Sequence, residues 1–288
     1  MLMLTLHSLP WKWILVSLVI TAGLASLLRK GSREANTLSL SQGELKLPSW
    51  PREINGWQVL HLSDLHFRDG SDLPDRVMAI IQHTHPDCVI ITGDLLAPGG
   101  KGRAEAKRFL QNVSARWPTF AVPGNKDALR DRMHVDRSEL LDEWRSTEAK
   151  VLLNSAIPVS YQGKRIWIAG VDDPHTRKDD LAAALRDVPA GEPVVLLAHS
   201  PVVIKRDGIE RASVIFSGHT HGGQICLPGG TPLYIHTSLP CRYSSGVHTV
   251  ANGESLLVVT RGVGHTRLRL RLWCPPEMTL WRLQSIGE

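Results

Sequence analysis

The chain is 288 residues long, with 42% hydrophobic side chains and a formal charge of +5. Its four cysteines (Cys88, Cys226, Cys241, Cys274) show neither CxxC spacing nor framework density, which excludes a zinc ribbon and a disulfide scaffold. The modest positive excess suits an anionic membrane surface or nucleic acid, but no recognisable nucleic-acid module accompanies it, and there is no internal repeat.

From Leu9 to Leu28 the chain is apolar apart from Lys12, with Trp11 and Trp13 at one end as interfacial anchors. About twenty such residues just span a hydrocarbon core. Arg29, Lys30 and Arg33 come directly after the run, so the positive-inside rule puts the remainder of the chain in the cytoplasm, beneath an inner-membrane anchor. A cleaved signal peptide is the alternative, because Ala22-Gly23-Leu24-Ala25 offers small residues near a cleavage point. The expected organisation is an anchor at 1–30, a polar tether at 31–51 and one domain at 52–288.

Strands are expected at Trp57 to Leu62, Cys88 to Thr92 and Phe120 to Val122, linked by crossover helices at Leu73 to Gln82 and Ala104 to Ala115. The charged stretch Lys126 to Lys150 reads as one or two further helices. Beyond Val151 strands become frequent, at Ile157 to Tyr161, Arg165 to Val171, Val194 to Ala198, Ser213 to Phe216, Ser255 to Thr260 and Met278 to Leu283. The class is α/β, two sheets packed face to face with helices outside. Arg267 to Leu272, alternating Arg and Leu, reads as a strand with a solvated basic face. His83, His85, His134 and His248 read as surface or helix residues, and His175 and His265 as candidates to line a pocket.

Five of the expected strands end in residues that bind metals: Asp64-Leu65-His66, Gly93-Asp94, Gly124-Asn125-Lys126-Asp127, His199, and Gly218-His219-Thr220-His221. In an open α/β sheet the carboxyl ends of strands share one edge, where ligands bind. Carboxylate, imidazole and amide donors without thiolate suit Mn²⁺, Fe²⁺, Zn²⁺ or Mg²⁺. Asp64, His66, Asp94, Asn125, His199, His219 and His221 are too many for one ion with an open position, and suit two ions about 3.5–4 Å apart.

This series resembles the calcineurin-like metallophosphoesterase superfamily over Gly56 to about Leu283. Gly222-Gly223-Gln224, Gly170-Val171-Asp172-Asp173, Arg261-Gly262-Val263-Gly264 and Pro275-Pro276-Glu277 resemble a bacterial subgroup of membrane-associated phosphodiesterases that includes the chlamydial type of UDP-2,3-diacylglucosamine hydrolase. The resemblance implies a four-layer sandwich of two mixed sheets flanked by helices. It implies two divalent ions, Mn²⁺ foremost, one held by Asp64, His66, Asp94 and His221, the other by Asp94, Asn125, His199 and His219. It also implies in-line attack by an activated water on a phosphodiester or pyrophosphate, with UDP-2,3-diacylglucosamine split to lipid X and UMP as the leading substrate. A broad-specificity envelope phosphodiesterase or phosphatase is the alternative. Asn125, Lys126 and His175 are the expected substrate contacts, and no nucleic acid or obligate protein partner is expected.

The departure is Lys126, where most of the superfamily carries a histidine. A lysine is charged near neutrality, so it can stabilise phosphoryl charge but is a poor proton donor, which favours acidic leaving groups such as those of a pyrophosphate. Asp127 is expected to hold Lys126 through a charge-assisted hydrogen bond.

Overall fold

In the computed structural model, which describes residues 11–127 and 137–287, the strands in chain order are β1 (Leu40–Leu47), β2 (Trp57–Leu62), β3 (Cys88–Thr92), β4 (Thr119–Val122), β5 (Lys150–Val151), β6 (Ser155–Tyr161), β7 (Lys164–Gly170), β8 (Val194–Leu197), β9 (Val214–Ser217), β10 (Gly246–Val250), β11 (Ser255–Val259) and β12 (Met278–Ser285). They form two six-stranded sheets, ordered β1-β12-β2-β3-β4-β5 and β10-β11-β9-β8-β7-β6. Both sheets are mixed. β2 to β5 run parallel to one another and β12 antiparallel to β2, while β7, β8, β9 and β11 are parallel and β6 and β10 antiparallel to their neighbours.

The central strands are apolar on both faces because both faces are covered. Alternation sends Leu60, Leu62, Val89 and Ile91 to the outside of the first sheet, onto Val77 and Ile81 of α2 (Leu73–Ile81), Phe109, Leu110 and Val113 of α3 (Arg103–Ser114), and Trp144 of α4 (Arg137–Arg145). Val59, Ile90 and Val122 point inward and meet Ile168, Val195, Val214 and Phe216 of the second sheet. Outside that sheet, Leu196, Ile215 and Leu257 pack on Leu181 and Ala184 of α5 (Leu181–Ala184) and on Val203. The result is the four-layer sandwich. His61, opposite Leu60 and Leu62, is buried against Phe216 with its Nε2 2.9 Å from Thr92 Oγ1.

Two expectations are corrected. The tether at 31–51 is built structure: the first helix, here αN (Trp11–Asn36), runs through Arg33, and β1 pairs in parallel with β12 from Leu40↔Met278 to Leu47↔Ser285. Burial of Leu45 and Leu47 in the inter-sheet core accounts for that pairing. The stretch 267–270 forms no strand, and Arg271 is fully buried rather than solvated. Of the helical stretch 126–150, α4 covers Arg137–Arg145, whereas 128–136, including His134, lies outside the described residues. Residues 1–10, where the anchor and the apolar run begin, lie outside them too.

Candidate metal centre

The register brings the carboxyl ends of neighbouring strands level, since Leu62 pairs with Ile91 and Leu197 with Phe216. Backbone bonds then tie the loops beyond them together: Asp64 N–H donates to Gly93 O, His66 N–H to Asp94 O, and Gly218 N–H to His199 O. Gly93, at φ +89°, lies where a Cβ would meet Gly124 N at 2.6 Å. Asp64, His66, Asp94, His219 and His221 all adopt left-handed φ between 46° and 70°. Such conformations cost about 1–3 kcal/mol each and persist where the surroundings enforce them, commonly at functional sites.

The seven expected ligand residues meet in one buried cluster, and their donor atoms fall into two groups. In the first, His66 Nε2 is 3.1 Å from His221 Nε2, 3.9 Å from Asp64 Oδ1 and 3.7 Å from Asp94 Oδ2, and His221 Nε2 is 3.4 Å from Asp64 Oδ1. In the second, Asn125 Oδ1 is 3.1 Å from His199 Nε2 and 3.0 Å from His219 Nδ1, and His199 Nε2 is 3.5 Å from Asp94 Oδ1. Asp94 faces one group with each oxygen. Donors about 2.0–2.2 Å from a shared ion lie roughly 2.8–3.6 Å apart at octahedral or tetrahedral angles, so most of these spacings suit a cation in each group, the two from His66 Nε2 to Asp64 and Asp94 being slightly longer.

The surroundings fit the same use. Asp64 Oδ1 is buried without a hydrogen-bond partner, although Oδ2 accepts from Ser63 Oγ and His219 N. The far nitrogens of three imidazoles face carbonyls: His66 Nδ1 to Leu96 O at 3.0 Å, His199 Nδ1 to Thr92 O at 2.8 Å and His219 Nε2 to His236 O at 2.9 Å. Donation to those carbonyls fixes the tautomers and leaves the other nitrogens free to ligate. Burial raises Asp64, and raises Asp94 to about 8 with help from the charges of Asp127 and Asp64. Burial also pulls His66 down to about 3 and His219 and His221 well below the usual imidazole range. For His199, burial is outweighed by the carboxylates of Asp94, Asp64 and Asp173, giving about 9. Buried carboxylates that resist ionisation, neutral imidazoles at His66, His219 and His221 and a protonated His199 form a donor set whose protons a divalent cation would displace.

Asp127 does not hold Lys126. Its oxygens accept from the backbone N–H groups of Gly124, Leu96 and Leu95, clamping the loops after β3 and β4, because three buried amides need an acceptor there. Lys126 is half-buried and donates its backbone N–H to Asp94 Oδ1 at 2.7 Å. The His175 ring lies 4.5 Å from that of His219, on a cleft of about 540 Å³ that also carries Arg177, Lys205, Tyr234 and His236. His265 is half-buried, and burial lowers it to about 4.

Sequence reasoning missed Ser63 and Arg271. The Arg271 guanidinium donates to the carbonyls of Gly264, Cys274, Arg261 and Gly262 and lies 3.4 Å from His221 Nδ1. It holds the 261–264 turn, whose Val263 and Gly264 N–H groups donate to Ser63 O and Asp64 O. An Arg-Leu alternation carries no sign that one arginine turns inward.

A model of the calcineurin-like phosphoesterase family matches residues 58–223. The chain belongs to that family. It is a metal-dependent phosphoesterase, and the clusters Asp64-His66-His221 and Asp64-Asp94-His199 can each hold a metal ion. YpbG of Bacillus subtilis is 31% identical over 76% of this chain and 78% of its own length. The UDP-2,3-diacylglucosamine pyrophosphatase LpxG of Chlamydia muridarum is 24% identical over 86% and 90%. The transmembrane protein with metallophosphoesterase domain of Danio rerio is 27% identical over 82% of this chain and 55% of its own. In keeping with such relatives, αN is long and apolar enough to cross a membrane.

Proposed function

We propose that the chain is a membrane-anchored phosphodiesterase or pyrophosphatase working with two divalent cations, and that UDP-2,3-diacylglucosamine, cleaved to lipid X and UMP, is its substrate. The observation that carries the reading is the division of the buried donors into two groups hinged on the two oxygens of Asp94. Asp64, His66, Asp94 and His221 would hold one cation, and Asp94, Asn125, His199 and His219 the other, with Mn²⁺ the foremost candidate. Such a pair supplies Lewis-acid charge and a water of lowered pKa.

The chain's own residues do the rest. Carbonyl-anchored imidazoles and the Asp127 clamp keep the donors preorganised, so no reorganisation accompanies charge development. Lys126 and Asn125 meet the phosphoryl oxygens, Lys126 as a fixed cation, which suits a leaving group that needs no proton, such as a nucleotide phosphate. The cleft beside His219 is large enough for a nucleotide-sized group, and Arg177, Lys205 and His175 give it cationic and polar walls. Similarity to LpxG supports a lipid-linked nucleotide-sugar substrate. Residues 1–30 would form the anchor, and Arg29, Lys30 and Arg33 would keep the phosphoesterase domain in the cytoplasm.

The broad-specificity reading has one observation in its favour: Arg177 and Tyr234, on the cleft wall, are exposed and reach solvent. One assay separates the two. Purified protein in detergent with Mn²⁺ is given UDP-2,3-diacylglucosamine, with bis-p-nitrophenyl phosphate as comparator. UMP release at a kcat/KM far above that for the aryl diester is expected. Hydrolysis of the aryl diester alone would favour broad specificity, and no hydrolysis of either by metal-loaded protein would contradict both readings.

A further inference from the structure

αN does not end where its apolar stretch ends. Leu28 is half exposed, yet three residues later Gly31 is buried, and so is Ala35 one turn further on. That last part is docked on the loop 264–274. Gly31 O accepts from Arg271 N–H at 3.0 Å, a Cβ on Gly31 would meet Leu270 Cδ1 at 2.6 Å, Glu34 Oε1 accepts from Cys274 N–H, and Lys30 Nζ lies 5.4 Å over the Trp273 ring.

A second loop is stitched to the first. Cys226 N–H donates to Leu272 O and Leu272 N–H to Gln224 O, and the Gln224 amide donates to the carbonyls of Thr266 and Leu268. The two loops expose large apolar side chains, Leu227 at 50%, Leu233 at 61% and Leu268 at 61%, with Arg267 and Arg269 exposed on either side of Leu268. Soluble surfaces do carry single exposed leucines, but these three lie on adjoining loops at the foot of an apolar helix.

Helical rise sets the depth. At 1.5 Å per residue, Gly31 lies about 4.5 Å beyond Leu28 along the axis. A headgroup layer is roughly 5–7 Å thick on each side of the hydrocarbon core. Loops docked at Gly31 therefore lie at headgroup level if Leu28 marks the edge of the span. We infer that loops 225–234 and 264–272 form a membrane-seated surface, with Leu227, Leu233 and Leu268 entering the interface of the bilayer that αN crosses and Arg267, Arg269 and Lys30 meeting anionic headgroups.

The surface is continuous with the metal centre, since Gln224 follows His221 by three residues and Arg271 joins the docked loop to the turn that supports Asp64. The reaction cleft thus opens beside the bilayer, and a substrate held in the membrane by acyl chains reaches it without leaving the lipid. The inference rests on αN being a span, and the test separates the two claims.

The full chain, with Cys241→Ser to remove its exposed thiol, is reconstituted in nanodiscs of phosphatidylcholine and phosphatidylglycerol at roughly three to one. A spin label is attached singly at Leu268→Cys, Leu233→Cys, Val19→Cys or Lys164→Cys, the last at the amino end of β7, opposite the carboxyl ends of the strands that carry the metal cluster. Depth is read from relaxation by oxygen and by a water-soluble nickel complex. Labels at 268 and 233 should be shielded from nickel several-fold relative to 164, at depths between those of 19 and 164. A label at 19 in the hydrocarbon with 268 and 233 as open to nickel as 164 would overturn the seated surface while leaving the anchor intact. A label at 19 in water would overturn the anchor and the inference with it.

Discussion

Replacing Gly218 with alanine tests whether close packing behind the cluster sets the ligand positions. A Cβ at Gly218 would lie 2.0 Å from Ser63 Oγ and 2.2 Å from Asp64 Oδ2. Ordinary contact begins near 3.4 Å, so those atoms would have to retreat by about 1.4 and 1.2 Å. Neither is free to do so: Ser63 Oγ donates to Thr92 O and Asp64 Oδ2, and Asp64 Oδ2 accepts the His219 N–H. Metal sites tolerate ligand displacements of about 0.2 Å, and a 1 Å misplacement near reacting groups can cost about 10²-fold. Gly218→Ala should therefore lower kcat/KM on bis-p-nitrophenyl phosphate by about 10²-fold at saturating Mn²⁺ and weaken Mn²⁺ binding. Overpacking should cost about 1–3 kcal/mol, visible as a lower Tm. Gly287→Ala, where nothing lies within 4 Å, is the control. If Gly218→Ala keeps kcat/KM and Mn²⁺ affinity within twofold, the cluster does not depend on this packing.

Lys126→Ala should lower kcat by about 10²-fold, as loss of one preorganised electrostatic group does, with Lys126→Arg recovering part; equal rates across leaving groups of very different pKa in the wild type would instead make Lys126 a proton donor. Arg271→Leu would leave buried carbonyls of the 261–264 turn unpaired, at about 1–3 kcal/mol for each unsatisfied group, and should lower the denaturant midpoint, a wild-type midpoint refuting the clamp. Asp94, at about 8 when folded against 3.8 ordinarily, favours the folded metal-free state at low pH and loses that contribution as pH rises through 8; His199, at about 9, acts in the same direction. His61 and His66, held near 3, change only below their ordinary 6.5. Between pH 6.5 and 8 the metal-free Tm should therefore fall and the Tm gain on adding Mn²⁺ should grow, and a gain that shrinks with pH would contradict the raised carboxylate.

The central strands and the crossover helices α2 and α3 are legible in the sequence because two-sided burial leaves continuous apolar runs, whereas the short or peripheral β5, β10 and α5 are not; the ligands are legible because Gly93, Gly124 and Gly218 punctuate the strand ends that carry them. Which carboxylate oxygen faces which imidazole is not, since residue type and spacing carry no orientation. Leu40–Leu47 reads as tether because it alternates weakly, and the partner of β1, β12, lies far along the chain, where no local pattern reaches. Charge alone pairs Asp127 with the neighbouring lysine, whereas three backbone amides, invisible in a sequence, claim its oxygens. The left-handed backbone at Asp64, His66, Asp94, His219 and His221 is likewise enforced by tertiary hydrogen bonds rather than by local preference.

The most direct test of the two-cation centre is the metal content and geometry of the protein purified in detergent with excess Mn²⁺, read by elemental analysis and by anomalous scattering from crystals. The account predicts two ions per chain about 3.5–4 Å apart, bridged by Asp94, with Asp94→Asn binding fewer ions and losing turnover by orders of magnitude while keeping its fold. A single ion per chain at full turnover, or an Asp94→Asn protein that keeps two ions and wild-type activity, would contradict it.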